Sequence, residues 1–218
     1  MKVASELVYA AVADQRRQIA DLVDDLDESQ LGTASLCAGW DIKTVAAHLV
    51  SVFADSFWVF TLRAARRRSL SRAIDELARQ RAVAPADEIA ATLRRCADFR
   101  LSPPMFGPVG PLADNLIHHG DIRIPLDLPF QPEPASIALA MDFLTGPRQV
   151  GFVSPGRLRG IRLHGTDVDR YWGEGAEIHG PVAALMMSVA GRTALIDMLD
   201  GPGLPLLRRR LTGAGLLP

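Results

Sequence analysis

Cysteine is scarce in this chain, because its 218 residues include only Cys37 and Cys96. Two cysteines cannot form the dense disulfide framework of a small secreted domain, so the sequence favours a reducing compartment. Cys37 has no histidine close to it in the sequence. We therefore expect Cys37 to be a small buried side chain, although the fold could still bring it a partner for nucleophilic chemistry.

Long apolar runs are also missing. No window approaches the roughly 18 uninterrupted apolar residues of a membrane-spanning helix, and the first residues lack the apolar stretch of a signal peptide. The sequence therefore predicts a cytoplasmic protein with no membrane partner.

An excess of positive charge is absent, since 24 lysines and arginines face 25 acidic residues and the net charge is -1. This balance gives no overall attraction to nucleic acid, and we expect no nucleic-acid partner. One local basic run stands out. It is either the solvated end of a helix or an anion-binding patch, and it consists of Arg63, Arg66, Arg67, Arg68 and Arg72.

Helical periodicity dominates the first two thirds of the chain. Apolar residues from Leu7 to Leu26 fall largely on one stripe, which predicts a first helix. Asp41 can cap a second helix that runs from Ile42 to about Arg66, and residues from Leu112 to about Gly120 are again helical in pattern. We interpret residues 1–146 as a helical bundle.

The pattern changes after residue 146. Leu158 to His164 alternates as a half-buried strand does, and Val168 to Trp172 is its candidate hairpin partner. Ala176 to His179 could form a third short strand, and Pro181 suits the first turn of a following helix. The sequence thus predicts a mainly α protein, with a second region, residues 147–218, that is a small α/β element.

The five histidines are the natural candidates for chemistry. His48 lies within the second predicted helix, between the apolar residues Val45 and Val52. A histidine at such a position is either a satisfied core residue or a ligand that faces the bundle interior.

Asp114 and His118 are four residues apart, which places a carboxylate and an imidazole side by side on a helix. The pair is either exposed or supplies two of the three protein ligands of an open metal site. A third ligand would come from another helix, and His48 is the available candidate. His119 lies about 100° around the helix from His118, so we expect it at the rim or on the outside.

Three segments in order resemble the mycothiol-dependent maleylpyruvate isomerase family, part of the DinB-like four-helix bundle superfamily. The first runs from Cys37 to Leu49 and contains Gly-Trp followed by His-Leu. The second runs from Asp114 to Leu126 and resembles the family pattern Glu-x-x-x-His-x-x-Asp-Ile-Arg-x-Pro-Leu. The third is a set of short matches: Thr166-Asp167, Trp172 to Gly175, Gly180-Pro181, Gly191-Arg192 and Leu199 to Gly203.

This resemblance implies a DinB-like four-helix bundle that holds a divalent metal, commonly zinc, through His48, Asp114 and His118. Asp114 stands where the family has glutamate, and it is one methylene shorter. A weaker metal site is the expected result. Asp121 is a candidate partner that orients a ligating histidine. Arg123 could hold a substrate carboxylate, or it could form an ion pair with Asp121 or Asp127.

The function implied by the resemblance is that of a metal-dependent, mycothiol-dependent isomerase or S-transferase. Its partners would be a small-molecule thiol and a small electrophilic substrate. The sequence assigns no catalytic side chain, because the thiol itself would be the nucleophile. The alternative is a non-catalytic bundle protein that binds a metal or ligand and has lost the chemistry, which the change from glutamate to Asp114 would favour.

Overall fold

The computed structural model describes residues 2–54, 70–103 and 106–213. The predicted continuation of the second helix to Arg66 and the basic residues Arg63, Arg66, Arg67 and Arg68 lie outside the described residues. Within the described part, no helix combines the length and the apolar character needed to cross a membrane.

Four helices pack together as the predicted bundle. They are α1 (Lys2–Asp25), α3 (Ile42–Ala54), α5 (Ala86–Arg95) and α6 (Val109–Arg123), joined by two further helices, α2 (Glu28–Leu31) and α4 (Leu70–Arg81). Helix α1 packs on α5 and α6, and α3 packs on α4, α5 and α6. The Asp41 carboxylate accepts a hydrogen bond from the Thr44 amide at 2.7 Å, which caps α3 as expected.

The C-terminal region contains a small sheet among helices, as predicted. Its strands are β1 (Ile161–Gly165), β2 (Arg170–Gly173) and β3 (Ala176–Gly180), in the order β2-β1-β3. Strand β1 is antiparallel to β2 and parallel to β3. The accompanying helices are α7 (Pro134–Leu144), α8 (Val182–Val189) and α9 (Leu204–Gly213), with 3-10 turns at Ile124–Leu126 and Ile196–Met198.

Two hydrophobic clusters hold these elements. One joins the first half of α1 and most of α6 to α7, the sheet and α8, through residues such as Val12, Leu116 and Leu185. The other joins the second half of α1 to α3, α4 and α5, through residues such as Ile19 and Val45. Helix α6 contributes residues to both hydrophobic clusters, and nearly all of its residues are buried.

Close approach of α8 to α6 depends on Gly120. A Cβ atom at this position would lie 2.8 Å from the Met187 sulfur, which is too close for two nonbonded atoms. Glycine removes that clash. The end of α8 can then lie beside the last turns of α6, where the candidate site is found.

Candidate metal centre

His48, Asp114 and His118 converge inside the bundle, although 66 residues separate His48 from Asp114. Asp114 Oδ2 lies 3.8 Å from His48 Nε2, and Asp114 Oδ1 lies 3.6 Å from His118 Nε2. One ligand atom from each residue lies within 4.8 Å of the other two. Helix α3 supplies one imidazole, and the i, i+4 spacing on α6 supplies the carboxylate and the other imidazole.

The spacing of these atoms fits a metal ion. Tetrahedral zinc ligands with bonds of about 2.0–2.1 Å stand about 3.3 Å from one another. The separations of Asp114 Oδ2 from His48 Nε2 and of Asp114 Oδ1 from His118 Nε2 exceed that value by about half an ångström or less, and one ligand atom from each residue lies within 4.8 Å of the others. The two nitrogen atoms and one oxygen atom also match the ligand preference of zinc, and the shorter Asp114 reaches both imidazoles without a bridging atom.

Asp114 marks the open side of the cluster. Its side chain keeps 27% of its surface exposed, whereas the side chains of His48 and His118 keep 11% and 8%. Burial favours the neutral form of Asp114, but the hydrogen bond and charge of His48 and the charge of His118 hold its pKa below the ordinary value. A small molecule could therefore reach the anionic carboxylate of Asp114 from solvent, and the two imidazoles lie buried behind that carboxylate.

Asp121 fixes His118 from the opposite side of the ring. Its Oδ2 lies 2.9 Å from His118 Nδ1, and its side chain has no exposed surface. Burial alone would lower the pKa of His118, but the hydrogen bond to Asp121, the contact with Cys37 and the charge of Asp114 raise it to about 10. The sequence-based expectation that Asp121 orients a histidine agrees with this contact.

Arg192 completes the group around Asp121. Its Nε and Nη2 donate hydrogen bonds to the two Asp121 carboxylate oxygens at 3.0 and 2.8 Å. Nη2 also lies 3.2 Å from Cys37 Sγ, and Nη1 donates to the Ala190 carbonyl at 2.9 Å. Burial raises the pKa of Asp121, but Arg192 and His118 outweigh that effect and lower it.

Cys37, His118 and Asp121 form a second group with metal-ligand chemistry, and it shares His118 with the first. In this second group, however, the positively charged guanidinium of Arg192 already contacts Cys37 and Asp121, where a metal cation would otherwise bind. Cys37 is buried, as expected. Its sulfur also lies within hydrogen-bonding distance of Arg192. Sequence reasoning missed this arrangement because Arg192 lies 71 residues from Asp121. The available signal was the Gly191-Arg192 pair among the short matches to the family, which did not indicate a contact with Asp121.

Two other expectations fare differently. His119 is not at the rim or outside: it is buried between α6 and α1, where its Nδ1 lies 3.0 Å from Gln15 Oε1. The expectation was wrong because α1 covers the face of α6 that carries His119. It was right that His119 does not join the cluster of His48, Asp114 and His118.

Arg123 is not brought to the cluster. Its Nε donates to the Pro129 carbonyl at 2.6 Å, and its side chain lines a surface groove beside Asp21 and Asp25. Those carboxylates disfavour a bound substrate anion. An ion pair with Asp121 is not formed either, since Arg192 and His118 take up that carboxylate. A substrate-binding role for Arg123 stays a prediction.

Comparison with known proteins agrees with the resemblance noted in the sequence. The sequence profile of the family described as "Mycothiol maleylpyruvate isomerase N-terminal domain" matches residues 12–102, which include Trp40 and His48. No curated protein matches the chain.

Two solved structures share the fold over nearly the whole chain. One is the crystal structure of the mycothiol-dependent maleylpyruvate isomerase, with a TM-score of 0.53 and 12% sequence identity, covering 98% of this chain and 95% of that one. The other is a histidine-to-alanine mutant of the same enzyme, with a TM-score of 0.52, 13% identity and the same coverage. At this identity the likeness establishes the fold, and the chemistry has to be argued from the site.

Proposed function

We propose that the chain is a zinc-dependent isomerase or S-transferase, because residues 12–102 match the profile of the mycothiol maleylpyruvate isomerase N-terminal domain and the chain shares the fold of that enzyme. It would use mycothiol, or a similar small thiol, and act on a small electrophilic substrate. The observation that carries this proposal is the convergence of His48, Asp114 and His118, with ligand atoms within 4.8 Å of one another and one open side.

His48 Nε2, His118 Nε2 and one oxygen of Asp114 would hold the metal, and a fourth position would face the exposed side of Asp114. A bound zinc ion lowers the pKa of a coordinating thiol so far that the thiolate predominates at neutral pH. That would supply a nucleophile without a general base from the chain.

The residues of the chain would prepare this centre rather than react. Asp121 would accept a hydrogen bond from the Nδ1–H group of His118. The lone pair of His118 Nε2 would then face the ion. Arg192 holds Asp121 in place and balances its charge in the protein interior. The buried Trp40 ring packs against His48 on the inner side of the cluster.

The test is to load the purified protein with zinc, add mycothiol, and follow two reactions: isomerisation of maleylpyruvate, and displacement of chloride from 1-chloro-2,4-dinitrobenzene by the thiol. Activity in either assay that disappears in Asp114→Ala and in the metal-free protein supports the proposal. Glutathione in place of mycothiol is the control for thiol specificity.

A protein that binds zinc but catalyses neither reaction would favour the alternative, a bundle protein that has kept the ligand set and lost the chemistry. The observation behind that alternative is Asp114 itself, where the family pattern has glutamate. Absence of zinc binding would contradict the proposed function and leave a non-catalytic bundle protein that binds another ligand.

A further inference from the structure

The two histidines of the candidate metal centre are oriented in different ways. His118 has the carboxylate of Asp121 on its Nδ1. His48 Nδ1 is buried and has no hydrogen-bond partner among the described residues. A metal-bound histidine almost always donates its second N–H to a carboxylate, carbonyl or water, which fixes its ring. Among the described residues, the ring of His48 is therefore held by packing rather than by a hydrogen bond to Nδ1.

The Trp40 indole packs beside both imidazoles of the centre. Its ring centroid is 5.2 Å from that of His48 and 6.4 Å from that of His118, and the indole is 3% exposed. An imidazole bound to a divalent ion gains positive charge. A cation within about 6 Å of an indole centroid is attracted by the electron-rich ring. The indole can therefore both hold His48 and stabilise its metal-bound form.

The indole is itself anchored. Trp40 Nε1 donates a hydrogen bond to Asp75 Oδ1 at 2.7 Å, and Arg79 Nε donates to the same oxygen at 2.9 Å. Arg79 Nη2 also donates to the Gly39 carbonyl, directly before Trp40, at 2.8 Å. Helix α4 thus fixes both the ring and the backbone of Trp40 through two charged side chains.

We propose that Trp40 is the positioning residue for His48, that its indole takes the place of the missing hydrogen-bond partner, and that Asp75 acts through Trp40. This inference rests on the proposed function, because the histidine that Trp40 positions would be a zinc ligand. The contacts of Trp40 with both imidazoles make it part of the centre, although it touches neither thiol nor substrate.

The chain offers a matched control. Trp172 is also buried, at 6% exposure, and its Nε1 also donates to a carboxylate, Asp142 Oδ1, at 2.7 Å. It lies in β2 and packs against Gly165. Loss of either indole removes a large buried side chain and one hydrogen bond, so the two variants should lose similar stability.

The experiment measures zinc affinity by competition with a chromophoric chelator for wild type, Trp40→Leu, Trp172→Leu, Asp75→Leu and Asp142→Leu. Trp40→Leu should weaken binding by about 10- to 100-fold, the range typical of outer partners of metal ligands. Asp75→Leu should weaken it less, and the double variant Trp40→Leu/Asp75→Leu should be no weaker than Trp40→Leu. Trp172→Leu and Asp142→Leu should keep the wild-type affinity. Trp40→Phe, which restores an aromatic ring, should recover part of the loss.

Equal losses in Trp40→Leu and Trp172→Leu, or no loss in Trp40→Leu, would overturn the proposal. If Trp40→Leu does not fold, Trp40→Phe and Asp75→Leu carry the same comparison. A second readout needs no metal: nitrogen NMR of labelled histidine should show one sharp His48 ring environment in the metal-free wild type, and exchange broadening in Trp40→Leu but not in Trp172→Leu. An unchanged His48 signal would also contradict the proposal. Failure of wild type to bind zinc would defeat the proposed function and leave this readout intact.

Discussion

Two groups of potential metal ligands share His118, and they differ in what balances their charge. On one side of the ring, Cys37 and Asp121 surround the guanidinium of Arg192, which donates to both Asp121 oxygens. On the other side, His48 and Asp114 face each other at 3.8 Å, and no arginine or lysine among the described residues pairs with Asp114. The first group is complete as a structural ion pair. In the second, the charge of His118 offsets that of Asp114 in the metal-free protein, and a metal cation from solution would have to displace the histidine proton.

His118 belongs to both groups, so its removal should have the largest effect. His118→Ala deletes a direct ligand and should lower zinc affinity by more than the roughly 100-fold that an outer partner contributes. His119→Ala, at the next position, should keep near-normal affinity because His119 faces Gln15. Metal analysis after dialysis against zinc measures both variants, and equal metal loss would contradict the assignment.

Asp121→Asn would break the completed group. The variant leaves the buried Arg192 without a counter-charge, and loss of one partner of a buried ion pair typically costs about 3–5 kcal/mol. Urea unfolding of the metal-free protein should show this loss. Asp114→Asn should cost far less stability in the same experiment, because Asp114 is partly exposed and has no arginine partner. A similar cost for both substitutions would remove the distinction between the two groups.

The pH dependence of metal-free stability should show the same contrast between neighbouring histidines. The pKa of His118 is raised to about 10, so its contribution is complete below about 6.5, the ordinary value, and is lost as the pH rises towards 10. Burial and the charge of Arg123 lower the pKa of His119 to about 4, so its contribution is present above about 6.5 and is lost as the pH falls towards 4.

The metal-free protein should therefore be most stable near pH 6.5, with losses of about 1–3 kcal/mol on each side from these two groups. Unfolding free energies measured from pH 5 to pH 9 check this. His119→Gln should flatten the acid side alone. A stability that rises steadily from pH 6.5 to 9 would contradict the assigned environment of His118.

The smallest expected effect is that of Asp114→Glu. The longer side chain restores the family residue and should tighten zinc binding, by about tenfold or less, since Asp114 already lies 3.6 and 3.8 Å from the two imidazoles. Competition against a chelator at fixed pH measures the ratio. Tighter binding by the natural aspartate would show that the helices have adapted to the shorter acid.

Local pattern predicted the parts of the fold and site that depend on local spacing. The cap at Asp41, the helical face shared by Asp114 and His118, and the alternation of β1 follow from periods of 3.6 and 2 residues. Recognition of His48 as the third residue needed the family resemblance, because an apolar helix face alone does not separate a ligand from a core histidine.

Long-range contacts could not be predicted in the same way. The pairing of Arg192 with Asp121 depends on α8 packing beside α6, which depends on the bare Gly120. The burial of His119 depends on how many helices surround α6, a property of the whole fold. The anchoring of Trp40 by Asp75 links α4 to the segment before α3 across 35 residues.

The most direct test of this account is calorimetric titration of zinc into the metal-free wild type and Asp114→Ala, at one pH because protons compete for the ligands. The account predicts one zinc ion per wild-type chain, with proton release, and loss of that binding in Asp114→Ala while the fold is retained. Zinc binding of equal affinity in both proteins, or none in the wild type, would contradict the assignment of His48, Asp114 and His118 as the ligands of the metal centre.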